Sequence, residues 1–357
     1  ADAGLGAALS SLVSEDDFFS GYSQVLPHTS DAALRYLATQ NSLATGVVGQ
    51  RLSAVRQLTG PAVDFWAQQT WTYLDSASSL EHPGYDGLGL SLAAGADRRV
   101  GSDSRVGVGL TLSFNEFEED DDPLNEIDTT TVLATTYGAT DFGGVQLDVA
   151  GGVGWVGFNS QRRVEFGELE DQFDASWDGW AATVSARLSY PARVGSFALT
   201  PQLTVDYSRL HQGAYSENAA DEEDAESGLR ITTESATSDL LNGAAIVVLA
   251  PAAREGQAGD LRGRARSRAG AELRLSPRAY GGVRANLGYS PYETTARFDG
   301  SDVEFALRSE EEAETTAVFG FGVQSQSTNF LFSFGYDGEF SDELMIHQLN
   351  GSMRFFF

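Results

Sequence analysis

Residues 344–357 read LMIHQLNGSMRFFF. Taken two at a time, one set is Leu349, Gly351, Met353, Phe355 and Phe357; the other is Gln348, Asn350, Ser352, Arg354 and, against the trend, Phe356. Strict alternation marks a strand with one apolar and one polar face. In a sheet bathed by water the apolar side meets a core, and a terminal segment frays unless it is tied down. The fold turns on what solvent Phe357 meets.

The same alternation recurs upstream from about residue 63. RVGVGLTLSF places Val106, Val108, Leu110, Leu112 and Phe114 on one face against Gly107, Gly109, Thr111 and Ser113. VQLDVAGGVGW sets Val145, Leu147, Val149, Val153 and Trp155 against Gln146, Asp148, Gly152 and Gly154. FALTPQLTVDY sets Phe197, Leu199, Leu203, Val205 and Tyr207 against Thr200, Gln202, Thr204 and Asp206. A soluble sandwich also alternates, but with shorter strands and longer charged side chains on its polar face. Segments of ten or more residues with a lipid-like face and a small polar face point to a transmembrane barrel.

Composition is compatible with that reading. Hydrophobic residues are 41% of 357 and mean hydropathy is −0.21. No run approaches the roughly 18 apolar residues of a spanning helix, a test that alternating strands also pass. The 39 glycines and the 21 Phe and 12 Tyr suit strands, tight turns and interfacial girdles. There is no cysteine, hence no disulfide, thiolate metal site or thiol nucleophile. All 23 basic residues are Arg, and a net charge of −28 argues against nucleic acid as a partner.

The spacing predicts up-and-down strands near 63–75, 84–97, 104–117, 127–141, 144–160, 171–190 and 196–213, then near 229–250, 263–290, 312–326, 329–340 and 343–357. RLSPRAYGG (274–282) is a candidate turn that would split one of them. The acidic stretches EFEEDDDPLNEID, EFGELEDQFD, ENAADEEDAES and RSEEEAE follow the third, fifth, seventh and ninth strands, so they share one end. The alternate turns are mostly short and carry Arg, as in DRRVGSDSR and RLSYPARVGS. Long loops at one end and short turns at the other are the outside–periplasm asymmetry of outer-membrane barrels. The fold class expected is therefore all-β: a transmembrane antiparallel up-and-down barrel of about 12 strands, an even number as in single-chain bacterial barrels. Its acidic loops would lie outside, its short turns and C-terminus in the periplasm, and its partners would include outer-membrane lipids. In a closed barrel the last strand pairs with the first, so Phe357 faces lipid and needs no protein core, while Phe356 points inward.

Residues 1–60 do not alternate. SDAALRYLATQNSLATGVVGQRLSAVRQLTGP reads as a helix opened by Ser30 or Asp31 and closed by Gly60–Pro61. Leu34, Leu37, Val48, Leu52 and Val55 form a thin apolar stripe, and the rest is small or polar with Arg35, Arg51 and Arg56. So slim a helix suits a pore lined by Asp148, Asp206, Gln146 and Thr204, where Arg51 or Arg56 meets a carboxylate; a soluble helix at the periplasmic mouth is the alternative. Of the four histidines (His28, His82, His211, His347) none has metal-ligand spacing, and no nucleophile elbow is present. His82 and His211, placed in outer loops with Ser and Asp nearby, are the residues a barrel hydrolase would need. The acidic loops lack the spacing of a defined calcium loop and read as solvated and repulsive. No cofactor, metal or catalytic residue is expected.

The stretch FFSGYSQVLPHTSDAALRYLATQNSLATGVVGQRLSAVRQ resembles the junction of bacterial autotransporters (type V secretion). The resemblance continues through PAVDFWAQQTW and the Gly-rich GYDGLGLSLAAGADRRVGSDSRVGVGLTLSF to the aromatic last strand. It implies a passenger remnant at 1–29, a pore-plugging helix and linker at 30–61, and a translocator barrel at 62–357. Implied partners are the barrel-assembly machinery, periplasmic chaperones and the chain's own N-terminal passenger. Phe357, Phe355, Met353 and Leu349 match the assembly signal of such barrels, whereas Gly351 departs from it and His347 is an unusual polar member. Some relatives cut their passenger at an Asn-Asn step in the pore; here Asn41 stands alone beside Ser42. The rival readings are a plugged diffusion channel or transporter, a barrel hydrolase, and a surface scaffold presenting its N-terminal segment.

Overall fold

The computed structural model describes residues 24–25, 32–40, 63–77, 84–101, 103–119, 125–166, 169–220, 228–252, 274–309, 315–326 and 330–356. Twelve long strands form the wall: β1 Val63–Ser76, β2 Tyr85–Val100, β3 Ser104–Glu119, β4 Glu126–Phe142, β5 Val145–Phe166 and β6 Leu169–Ser189, then β7 Phe197–Gln212, β8 Ala236–Pro251, β9 Arg274–Ser290, β10 Thr315–Gln326, β11 Phe330–Phe340 and β12 Leu344–Phe356. Each pairs antiparallel with its neighbours in sequence. The ring closes where β1 pairs with β12, from Asp64 opposite Phe356 to Ser76 opposite Leu344. Closure satisfies the backbone groups that an open edge would leave bare in hydrocarbon.

Side chains alternate across this wall as the sequence predicts. On β3, Val106, Val108, Leu110 and Phe114 are exposed on the outside, while Arg105, Ser113, Asn115 and Phe117 are buried within. The outward apolar run then stops, and Glu116 and Glu118 take over. Trp71, Phe114, Trp155 and Trp180 lie outward toward one end, and Phe65, Phe142, Phe197, Phe330 and Phe355 toward the other, all exposed. Two aromatic rows flanking an aliphatic band are the outer surface of a membrane barrel.

The two ends differ. At the turn end, β4 and β5 join through Gly143 and Gly144, at φ +63° and +100°, the left-handed pair that a two-residue hairpin turn requires. At the loop end the strands run on. β5 and β6 have 22 and 21 residues, against about ten needed to cross the hydrocarbon, so this hairpin stands well clear of it. The segment EFGELEDQFD is thus mostly strand rather than loop: β5 carries it to Phe166 and β6 resumes it at Leu169. A small sheet of Tyr215–Ser216, Ile231–Thr233, Glu293–Phe298 and Glu304–Arg308 caps the same end. The expected strand at 229–250 is therefore divided between that cap and β8. The candidate turn at 274–282 is continuous β9, in which Pro277 pairs with Val323. Pro277 is tolerated because β8 pairs only as far as Ala279, leaving Arg274–Arg278 with no partner on that side in the described wall.

Among the described residues a nine-residue helical stretch, α1 (32–40), lies inside the barrel. Residues 41–62 and Phe357 fall outside the described residues, and so does the side chain of Phe356; the expectations placed on Asn41, Arg51, Arg56 and Phe357 fall there too.

Candidate functional site: the barrel lumen

The inward side chains divide the lumen into two halves. The turn-end half is ionic. Arg105 of β3 and Arg354 of β12 both reach Asp64 Oδ2 at 2.5 Å, and both also contact Asp97 of β2. Four strands, including the closing pair β1 and β12, are tied by two guanidinium and two carboxylate groups, all buried. Tyr137 donates to Asp97 at 3.2 Å and receives the indole N–H of Trp66 at 2.7 Å. Further round, Arg187 Nη2 meets Asp148 Oδ2 at 2.7 Å. Tyr280 donates to Asp337 at 2.5 Å. One further pair, Arg284–Glu339 at 2.6 Å, stands nearer the loop end, beside Leu34 and Ala38 of α1. Strand alternation forces this: a polar residue at every second position has only the lumen to occupy, and buried charges survive there only in pairs.

Of the residues expected to line the pore, Asp148, Asp206 and Gln146 are all buried and inward. Asp148 is held by Arg187, a wall residue, rather than standing bare for a helix cation. Asp206 accepts from Ser185, and Gln146 accepts from Ser189 at 3.5 Å. Of the last-strand residues, Phe355, Met353 and Leu349 face outward and are exposed.

The loop-end half is mainly apolar and holds α1. Leu34, Leu37 and Ala38 pack among Ile127, Val156, Phe158, Trp177, Leu210 and Leu240. Ala32 and Tyr36 pack against Leu74, Tyr85, Phe117, Leu344 and Ile346. The wall residues belong to β1–β7, β8 and β12, so the helix is surrounded rather than leaning on one side. Tyr36 reaches Ser91, which pairs with Thr70 near the middle of β1. Nine residues at 1.5 Å span about 14 Å, so α1 fills the lumen from the loop end to roughly mid-depth.

Where the chain meets the loop end it is gripped. Arg162, on β5 just past the last β4–β5 pair at Gln161, donates to the carbonyl oxygens of Gln24 at 3.1 Å, Val25 at 3.4 Å and Leu229 at 2.9 Å. Both carboxylate oxygens of Glu217 accept along one edge of the guanidinium, from Nε at 2.8 Å and Nη2 at 2.7 Å, and the Phe173 ring lies 4.7 Å beneath it. Glu217 also accepts from the Ile231 amide, and Gln24 Oε1 caps the Glu165 amide. Nothing in the sequence marked Arg162 apart from its neighbour Arg163; only the register sends the first inward.

The histidines make no catalytic group among the described residues. His211 belongs to β7, not a loop: it faces outward, stacks on Trp180 at 5.6 Å and bonds Thr237 at 2.9 Å. His347 bonds Tyr336 at 2.7 Å on the outer wall. His82 lies outside the described residues. Among the described residues no His, Asp or Glu cluster could hold a metal ion.

These features have counterparts. The chain superimposes on the translocator domain of autotransporter NalP from Neisseria meningitidis with a TM-score of 0.61, at 15% identity over 90% of this chain and 98% of that one. The β-domain of the Bordetella autotransporter BrkA gives 0.55 at 17% identity, over 83% and 100%. At such identities the likeness is one of fold. Comparison with curated proteins finds no match. The autotransporter β-domain profile matches residues 65–243, about half of the 357. With twelve closed strands and a helix seated inside them, the chain belongs to the autotransporter β-domain family.

Proposed function

We propose that this barrel is the outer-membrane anchor through which an N-terminal passenger reaches the cell surface, and that residues 30–61 then plug it. The observation that carries the reading is α1, buried on all sides in the loop-end half of the lumen. The chain enters that seat from the loop end, where Gln24 and Val25 are gripped by Arg162, and must reach Val63 at the turn end. It therefore passes along the lumen with its N-terminal side toward the loops. A passenger attached ahead of residue 30 emerges on the loop side.

The acidic rim supports a reading in which that side faces outside the cell and the short turns face the periplasm. Residues 1–29 are then the passenger junction, and 41–61 continue the plug toward the turn end. Arg51, Arg56 and Asn41 are its candidate contacts with the ionic wall. Asp206, whose Oδ2 is buried without a hydrogen-bond partner, is the carboxylate best placed to receive one. The exposed Phe355, Met353 and Leu349 row suits both lipid contact and recognition by the barrel-assembly machinery, with periplasmic chaperones carrying the unfolded chain to it. No catalytic step is assigned to the domain.

Deleting residues 1–60 tests the reading in planar bilayers. A plug predicts a several-fold rise in single-channel conductance, and unchanged conductance would refute it. Protease shaving of intact cells should remove material ahead of residue 24 and spare the barrel.

A further inference from the structure

The apolar seat of α1 would tolerate a helix slid or turned by a residue, because Leu and Ala contacts are non-directional. One contact is not tolerant. On the lumen face of β2 the alternating residues Gly87, Gly89 and Ser91 follow Tyr85. The Tyr36 ring lies directly on Gly89: a Cβ there would come within 2.2–2.4 Å of three ring and hydroxyl atoms. The Tyr36 hydroxyl sits 3.3 Å from Ser91 Oγ, which in turn bonds Ser113 at 2.7 Å. Phe117 meets the Tyr36 ring edge-on at 6.1 Å between centroids, and itself occupies the space over Gly87, 2.4 Å from where a Cβ would stand. Two glycines one step apart on one face thus cut a recess. Phe117 fills one end of it, Tyr36 the other, and a hydroxyl pair marks its floor.

We propose that Gly87, Gly89 and Ser91 form a receptor for a single aromatic side chain, and that Tyr36 is the residue that fixes where the exported chain halts in the barrel. The proposal rests on the plug reading above. Other wall glycines already lie under rings of the wall itself, as Gly107 does under Tyr137 and Gly320 under Tyr280; the gap at Gly89 takes the ring of the helix, and where Tyr36 meets it the apolar surfaces of Leu34 and Leu37 come into register. Tyr36 is accordingly a positioning residue, and β2 rather than the helix stripe determines the depth of the plug.

The test uses epistasis in the full chain, with two readouts: single-channel conductance, and cross-linking between cysteines introduced at Gln40 and Thr111, which line one small cavity. The native chain has no cysteine to interfere. Gly89→Ala should abolish the cross-link and raise conductance several-fold, toward that of the chain lacking residues 1–40. Tyr36→Ala should do the same, while Tyr36→Phe, which keeps the ring, should retain both wild-type values. In the Tyr36→Ala background Gly89→Ala should add nothing, since its clash has been removed. Wild-type cross-linking and conductance in Tyr36→Ala, or an equal Gly89→Ala effect in both backgrounds, would overturn the receptor. If the chain lacking residues 1–40 itself conducts like wild type, the plug reading fails instead. Gel mobility with and without heating identifies any variant that does not fold, and Tyr36→Ala, which introduces no clash, keeps the test decisive if Gly89→Ala is lost.

Discussion

The two halves of the lumen are held together in opposite ways. At the turn end wall binds wall: Asp64, Asp97, Arg105 and Arg354 join four strands across the closing seam, and Arg187–Asp148 continues the belt. At the loop end wall binds helix: Ile127, Val156, Phe158, Leu210 and Leu240 would face water if α1 left. One half is complete by itself and the other is completed by a segment that must arrive. Closure of the barrel and closure of the pore are therefore separable, as a domain that first conducts a chain and then seals behind it requires.

Removing a member of the seam cluster breaks this comparison most sharply. Arg354→Met leaves two buried carboxylates sharing Arg105, and breaking a buried ion pair costs about 3–5 kcal/mol. Urea unfolding in lipid vesicles should show that loss as an earlier midpoint, with the conductance of the folded fraction unchanged. An unaltered midpoint would mean that the ionic half does not hold the seam.

The outer band, common to both halves, ranks next. Leu110 lies outward and exposed near the middle of β3. Leu110→Arg places a cation in the hydrocarbon at a cost of about 2–4 kcal/mol near the midplane. The same substitution in detergent micelles should cost less, because the head group reaches water sooner. Equal loss in both media would argue that Leu110 packs on protein rather than lipid.

Strand count, facing and closure were legible in the sequence because alternation is a local signal: Val106 to Phe114 betray their face without any partner. Asp148 and Asp206 were readable as inward for the same reason. What they meet was not readable, because the Arg187 partner of Asp148 lies one strand away and only register brings the two together. The length of β5 and β6 was obscured by composition, since Glu165, Glu170 and Asp171 look like loop residues until the strands are seen to stand clear of the membrane. His211 was drawn into a loop by its polarity, although Trp180 beside it makes a wall position reasonable at an interface. Tyr36 carried a signal that went unused: it is a lone ring in a stretch otherwise small, aliphatic or polar, and GLGLS in β2 offers matching gaps. Joining the two needs the depth of the helix, which no local pattern encodes.

A smaller effect on the barrel is expected from the grip at the loop end. Arg162→Ala strands Glu217 and releases the carbonyl oxygens of Gln24, Val25 and Leu229. All of these lie beyond the membrane band, so the unfolding midpoint should move little. Limited proteolysis should nonetheless cut ahead of residue 32 faster than in the wild type. A large shift in the midpoint would show that the loop-end half also holds the barrel, contrary to the division drawn here.

The smallest effect concerns the rim itself. Just beyond the apolar band, Glu118 pairs with Glu126 and Glu116 with Asp128 across β3 and β4. Burial, and then the neighbouring carboxylates of Asp128, Glu116 and Glu118, push the Glu126 carboxyl above its ordinary range, with Arg163 opposing them. A carboxyl raised in the folded state is penalised when ionised, so the penalty is present at neutral pH and is relieved as pH falls through its folded value. Stability of the loop end should accordingly rise slightly between pH 7 and the carboxylate range, and Glu126→Gln should flatten that slope. Hydrogen exchange of the β3–β4 amides against pH measures it; an identical slope in the variant would remove Glu126 from the account. The side chain is half-buried at the rim and still reaches solvent, so water and salt screen the repulsion and the change stays small. The contrast with the turn end is then one of pairing rather than charge: there Asp64, Asp97 and Asp148 each meet a guanidinium, whereas here the rim sets like charges opposite one another and leaves solvent to screen them.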